Sequence, residues 1–316
     1  MKLGVMIEGQ EGLNWERWQR IVEAADRLGF DSVWRSDHLY SVMGRYERET
    51  VALIPSLTAV ALWSQRLIFG QLVSPVSFRH PVHLAYDAAA LDRLSNGRYT
   101  FGIGAGWNES EHRAFGFPLP PLKERMDRFE EALKVITLLW SGERVDFKGE
   151  HYQLDMAQAA FTPAGGKARI LIGGSGEKRT LRLVAEYADE WNATATPPEE
   201  YERKVEVLAQ HCRAAGRDID QIERSMMLAH VVGRDEAEVR ERARAFMAIT
   251  GREGEVDEVL QGMRERGLLV GTVDEVVESI KLRQRQGIDR IMLQTMDMDD
   301  IPALELIASE IMPQVS

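Results

Sequence analysis

The chain of 316 residues has a single cysteine, Cys212, so no disulfide can form within it and no cysteine cage can hold a metal. No stretch approaches the ~20 apolar residues of a membrane span. The N-terminal MKLGVMIEGQEG has no apolar segment of signal-peptide length either, which leads to the expectation of a cytoplasmic protein with no membrane partner. Basic residues are in the minority, 39 Lys and Arg against 50 Asp and Glu for a net charge of -11, and no basic stripe carries interleaved aromatics. Nucleic acid is therefore excluded as the expected partner. His83, His151, His211 and His230 lack metal-ligand spacing and HExxH is missing, so no metal site is expected. GxSxG is missing too, which disfavours a serine hydrolase. With no internal repeat and no Ser/Gly/Pro-rich linker, residues 1–316 read as one domain.

What is present is an alternation of short β-rich runs and longer amphipathic stretches. Candidate strands lie at Leu3 to Glu8, Ser32 to Arg35, Ile68 to Val73, Tyr99 to Ile103, Ile170 to Ile172, Glu190 to Asn192, Ser225 to Val231 and Arg290 to Gln294. Eight strands with intervening helices predict an α/β fold, a (β/α)8 TIM barrel with catalytic residues at the C-terminal ends of its strands. A doubly wound sheet is the alternative. Two long excursions, Asn108 to Arg169 with its hairpin-like VDFKGEHYQL and Thr250 to Thr272, read as insertions at the C-terminal mouth.

Four junctions concentrate chemistry. FGIGAGWNESEHRAFG follows the fourth strand, and its alternating glycines suggest a backbone that a ligand approaches closely, or else a tight turn beneath Trp107. ILIGGSGEKRT runs a strand through Gly173, Gly174, Ser175 and Gly176 into a helix with Lys178 and Arg179. Free amides, a hydroxyl and cations there suit a phosphate. In SVWRSDHLY, Asp37 and His38 follow the second strand and suit polarising a ring edge or moving a proton. Arg79, in VSFRHP, suits either an anion or an acidic neighbour.

Together WRSDHL, RHPVHLAYDAAALDRLSNGRYTFGIGAGW, KERMDRFEEALKVITLLWSG and ILIGGSGEKRT resemble the luciferase-like monooxygenase superfamily, and within it the deazaflavin-dependent oxidoreductases that use coenzyme F420. The resemblance runs nearly end to end. It implies a barrel that binds F420, or alternatively FMN, at its mouth, works on a small-molecule substrate and forms a homodimer. It puts Asp37 and His38 against the ring, Gly104, Ala105 and Gly106 around ring and substrate, and the tail phosphate on Gly173, Gly174, Ser175, Gly176, Glu177 and Arg179. A bulge, often with a non-prolyl cis peptide, maps by position to Gln71 and Leu72. The resemblance also marks departures. Trp107 stands where sugar-phosphate dehydrogenases of the superfamily carry a catalytic Glu, and NATATPP replaces their phosphate-binding Lys, so a sugar-phosphate substrate is not expected. Asp37, His38, Trp107 and Glu109 make up the expected catalytic set, with Glu111 a further nearby acid, although GWNESE reads equally as an acidic helix N-terminus. The expected activity is hydride transfer between F420 and a small, largely apolar substrate. An FMN-dependent monooxygenase and a non-catalytic flavin-binding protein are the alternatives.

Overall fold

The computed structural model describes residues 1–315. In chain order its strands are β1 (Lys2–Ile7), β2 (Ser32–Arg35), β3 (Ile68–Gln71), β4 (Ser74–Pro75), β5 (Tyr99–Gly104), β6 (Arg144–Lys148), β7 (Gln153–Gln158), β8 (Arg169–Gly173), β9 (Glu190–Thr194), β10 (Glu223–Gly233), β11 (Leu269–Thr272) and β12 (Arg290–Thr295). Eight of them close a parallel ring in the order β1, β2, β3, β5, β8, β9, β10, β12 and back to β1. The expected barrel strands are all found, within a few residues at each end.

The main helices are α1 (Trp15–Arg27), α2 (Leu53–Trp63), α3 (Pro81–Leu94), α4 (Glu109–Phe115), α5 (Leu122–Trp140), α6 (Thr180–Tyr187), α7 (Pro198–Ala214), α8 (Glu236–Thr250), α9 (Val256–Glu265) and α10 (Val273–Arg285). Local chemistry sets their ends. Asn14 caps α1 by accepting from the Arg17 amide at 2.9 Å, and α1 then buries Trp18, Ile21, Val22 and Ala25 at helical spacing. The first excursion contains the antiparallel pair β6 and β7. In the second, α9 leads into β11, which pairs with His230–Gly233, the part of β10 beyond its pairing with β12.

A small cluster of Met6, Trp34, Leu171 and Met292 packs apart from the large core that joins barrel and helices. Trp34 is fully buried, and its indole N–H donates to Ser32 Oγ at 2.8 Å. It is packing, not a ligand wall. No described helix is long and apolar enough to cross a membrane.

Candidate active site

The glycines of β5 answer to the chain itself before any ligand. A Cβ on Gly102 would lie 1.8 Å from the Gln71 carbonyl oxygen, and one on Gly104 would lie 2.8 Å from a Val73 methyl. Gly173 at the end of β8 meets the same valine at 2.9 Å. These glycines let the interrupted edge between β3 and β4 press inward, so Leu72 and Val73 reach the cavity. A non-prolyl cis peptide lies in this interruption, between Leu72 and Val73, one residue beyond the expected Gln71–Leu72 bond. Gln71 is withdrawn: its side chain is buried and accepts from the Tyr99 hydroxyl at 2.8 Å.

The cavity above this floor has a volume of about 540 Å³, within the range of small-molecule sites. Asp37, His38, Leu72, Gly104, Ala105, Gly106, Trp107, Gly173, Gly174 and Gly176 all line it, so the structure gathers most of the expected residues. Apolar wall comes from Met126 and Phe129 of α5 and from Met227 of β10.

Asp37 is buried and fully engaged. It accepts from Ser74 Oγ at 2.6 Å and from both terminal nitrogens of Arg79, one of them at 3.1 Å. Arg79 thus serves an acidic neighbour. The pair forms a fixed polar wall.

His38 is held differently. Its Nδ1–H donates to Glu111 Oε2 at 2.8 Å, and Glu111 also accepts from the Leu39 amide. Burial opposes charge on the imidazole, but the bond to Glu111 and its negative charge outweigh burial, and the His38 pKa rises above its ordinary 6.5. The carboxylate in this arrangement is Glu111, whose side chain is completely buried. Glu109 is exposed and absent from the cavity wall, which corrects its placement in the catalytic set. The reason is local: Asn108 caps α4, accepting from the Glu111 amide, so Glu109 opens the helix on its outer side and Glu111 faces in. Trp107 meets the His38 ring edge-on, with centroids 5.7 Å apart, and stays two-thirds exposed at the mouth.

The glycine loop after β8 keeps some of its expected groups and loses others. The Gly174 amide donates to the Asn192 carbonyl at 3.1 Å, whereas the amides of Ser175, Gly176 and Glu177 meet no backbone acceptor among the described residues. Ser175 Oγ is buried without a hydrogen-bond partner. Thr180 borders the cavity at the start of α6. Such an orphaned hydroxyl beside free amides fits a phosphate. The arginines do not join them, and Lys178 is exposed and outside the cavity lining. Arg179 pairs with Asp127 at 2.7 Å and with Glu130, Arg182 pairs with Glu130 and Glu186, and Glu177 faces Arg203 and Lys204. None of Ser175, Glu177 and Arg179 borders the cavity. Lys204 of α7, to which sequence reasoning gave no role, is nearly buried beneath the loop and donates to the Ser175 carbonyl at 3.2 Å.

The family model for the luciferase-like monooxygenases matches residues 1–290. The chain belongs to this family. Among luciferase-like relatives, an F420-dependent glucose-6-phosphate dehydrogenase of Nakamurella multipartita is 29% identical over 310 residues, covering 92% of this chain and 90% of its own. An F420-dependent hydroxymycolic acid dehydrogenase of Mycobacterium tuberculosis is 32% identical over 244 residues, covering 75% of this chain and 65% of its own. The structure of an F420-dependent secondary alcohol dehydrogenase, in complex with an F420–acetone adduct, superposes with a TM-score of 0.82 at 22% identity, covering 100% of this chain and 99% of that one. At that identity the superposition speaks for the luciferase-like barrel.

Proposed function

We propose that this chain is an F420-dependent oxidoreductase that exchanges a hydride with a small organic substrate at the barrel mouth. The observation that carries the reading is the cavity that joins the Leu72–Val73 floor, the His38–Glu111 pair and the open-amide loop after β8, in a chain whose sequence is similar to F420-dependent relatives over most of its length. The deazaflavin, when bound, supplies the hydride-carrying carbon.

The chain's own residues position and protonate. Leu72 and Val73 support the ring from behind, with Gly104, Ala105 and Gly106 alongside. Ser175 Oγ and the amides of Ser175, Gly176 and Glu177 hold the tail phosphate. The Asp37–Arg79 pair fixes the polar wall. Glu111 keeps His38 protonated at Nδ1, which leaves Nε2 as the atom that takes or returns the substrate proton. Trp107 narrows the entrance beside it. Replacing His38 with Ala is expected to lower kcat by on the order of 10²-fold while F420 affinity holds. Anaerobic turnover with a panel of small alcohols reads this; a variant as fast as the parent protein ends the proton role.

One observation favours FMN as a second reading. The deazaflavin tail carries carboxylates beyond its phosphate, yet Arg79, Arg179 and Arg182 are already paired with the chain's own carboxylates. Of the cations near the loop only exposed Lys178 is left without an acidic partner among the described residues, so charge there selects the longer tail weakly and the relatives carry the choice of F420.

The single domain is further taken to form a homodimer in a reducing, cytoplasmic setting, where buried Cys212 stays a thiol. No charge interrupts Val51 to Gln65, and α2 exposes Leu62 and Trp63, the latter edge-on to exposed Trp15 at 6.3 Å. Such a face suits a second copy. Light scattering that finds only monomer at micromolar concentration ends this reading.

A further inference from the structure

A second cavity, of about 570 Å³, opens beside the first at the barrel mouth. The two share Thr194 at the end of β9 and Met227 on β10, so a molecule in one abuts a molecule in the other. Its walls are apolar over Met43, Ala229, Phe246, Leu268 and Met296. Its remaining side is built by the excursion after α8, which brings Arg252 and Arg266 to it.

These two arginines, like Arg125, which donates to the Gly106 carbonyl, differ from most arginines around the mouth. Arg48, Arg79, Arg179, Arg182 and Arg242 each meet a carboxylate. Among the described residues Arg252 and Arg266 meet none. Arg252 lies over the Phe246 ring, 5.3 Å from its centroid, and Arg266 Nε donates to the Gly262 carbonyl at 3.0 Å. Glu265 borders the same cavity, but its carboxylate accepts from Gln261 at 2.9 Å and pairs with neither arginine. Burial and the charge of Arg266 both lower the pKa of Arg252, which places two like charges near each other without a counter-ion. In a chain of net charge -11 that is a local exception, and it favours an incoming anion.

We propose that the second cavity is the substrate chamber and that its substrate is an amphipathic organic anion, with an apolar body along Met227, Phe246 and Met296 and a carboxylate or phosphate head on Arg252 and Arg266. The proposal rests on the reading of the first cavity as the cofactor site, since the shared wall at Thr194 and Met227 is what sets the apolar body beside the ring. A sugar phosphate would satisfy the arginines but would turn part of its hydroxyls toward thioethers and methyl groups, leaving Thr194, Thr250, Glu265 and Gln294 to answer the rest. An uncharged hydrocarbon would fill the walls and leave both guanidiniums without a partner.

The test is isothermal titration calorimetry of the protein, with and without saturating F420, using octanoate, octyl phosphate, 1-octanol and glucose 6-phosphate. Octanoate and octyl phosphate are expected to bind both forms, and 1-octanol and glucose 6-phosphate on the order of tenfold more weakly or worse. Arg252→Met with Arg266→Met is expected to bring octanoate down to the level of 1-octanol and leave F420 affinity unchanged. Equal affinity for 1-octanol and octanoate, or an unaffected double variant, overturns the head-group site. Tighter binding of glucose 6-phosphate than of octanoate overturns the apolar body, and displacement of F420 by octanoate overturns the second chamber. Failure of F420 itself to bind counts against the cofactor reading alone, because the titrations without cofactor still test the anion.

Discussion

At the N-terminal end of the barrel the Arg290 guanidinium reaches Asp31 at 2.8 Å, Glu190 at 2.6 Å and Glu223 at 3.1 Å, whereas at the mouth Arg252 and Arg266 reach no carboxylate among the described residues. Both regions hold cations, and both lie at an end of the same eight strands. At the closed end the charges are buried together, so each has meaning only in the presence of the others. Burial opposes charge on Arg290, yet the three carboxylates outweigh it and raise its pKa, and burial pushes the Glu190 carboxyl up. At the open end Arg252 and Arg266 border space that a molecule can enter, and Ser175 Oγ lies buried and unpartnered behind the cavity wall. The difference teaches where to look for function on a barrel: among groups the fold leaves without partners.

The sharpest way to break this comparison is to remove one charge from each end. Arg290→Met leaves buried Glu190 with only the longer ion pair to Arg169, at 3.5 Å, and is expected to cost about 3–5 kcal/mol in urea unfolding. Arg252→Met is expected to stay within about 0.5 kcal/mol of the parent protein. Equal losses would erase the distinction between the two ends.

A smaller effect is expected from Glu111→Gln. The variant keeps a carbonyl for the Leu39 amide but removes the negative charge beside His38, so the His38 pKa, followed by NMR titration, should fall. The raised native pKa contributes stability that is fully present below the ordinary 6.5 and is lost as pH rises through the native value. The gap in Tm between parent and variant should therefore be widest in acid and close above that value. A gap that widens in alkali would contradict the assignment of Glu111 as the partner of a protonated His38.

Ser175→Ala should have the smallest effect on stability, because the Oγ it removes has no partner to lose. Affinity is another matter: loss of about 1.5 kcal/mol in F420 binding, roughly tenfold, is expected if the hydroxyl donates to the phosphate. Unchanged binding would move the phosphate off this loop.

The barrel was legible because strand and helix patterns alternate along the whole chain, and each barrel strand is set by its own few apolar residues. The hairpin in VDFKGEHYQL was legible for the same local reason. The site was legible at junctions and obscure in its pairings. Asp37 and His38 could be picked out from SVWRSDHLY, but their partners Arg79 and Glu111 lie 42 and 73 residues away. Glu109 and Glu111 sit in the same acidic first turn, and only the cap at Asn108 fixes which one faces inward. Arg179 looked free because Asp127, 52 residues before it, is brought to it by tertiary packing. The glycines of GIGAG carried a true signal of close approach. Its source is the neighbouring strand interruption, where the cis peptide Leu72–Val73 lies.

The most direct test of F420 as the cofactor is a parallel equilibrium titration of the purified protein with F420 and FMN, followed by quenching of tryptophan fluorescence with Trp107 at the cavity wall as reporter. F420 is expected to bind more tightly by on the order of tenfold or more, with quenching reduced in Trp107→Leu. Tighter binding of FMN, together with oxygen consumption by the complex with reduced FMN, would contradict the F420 reading and make the protein a monooxygenase.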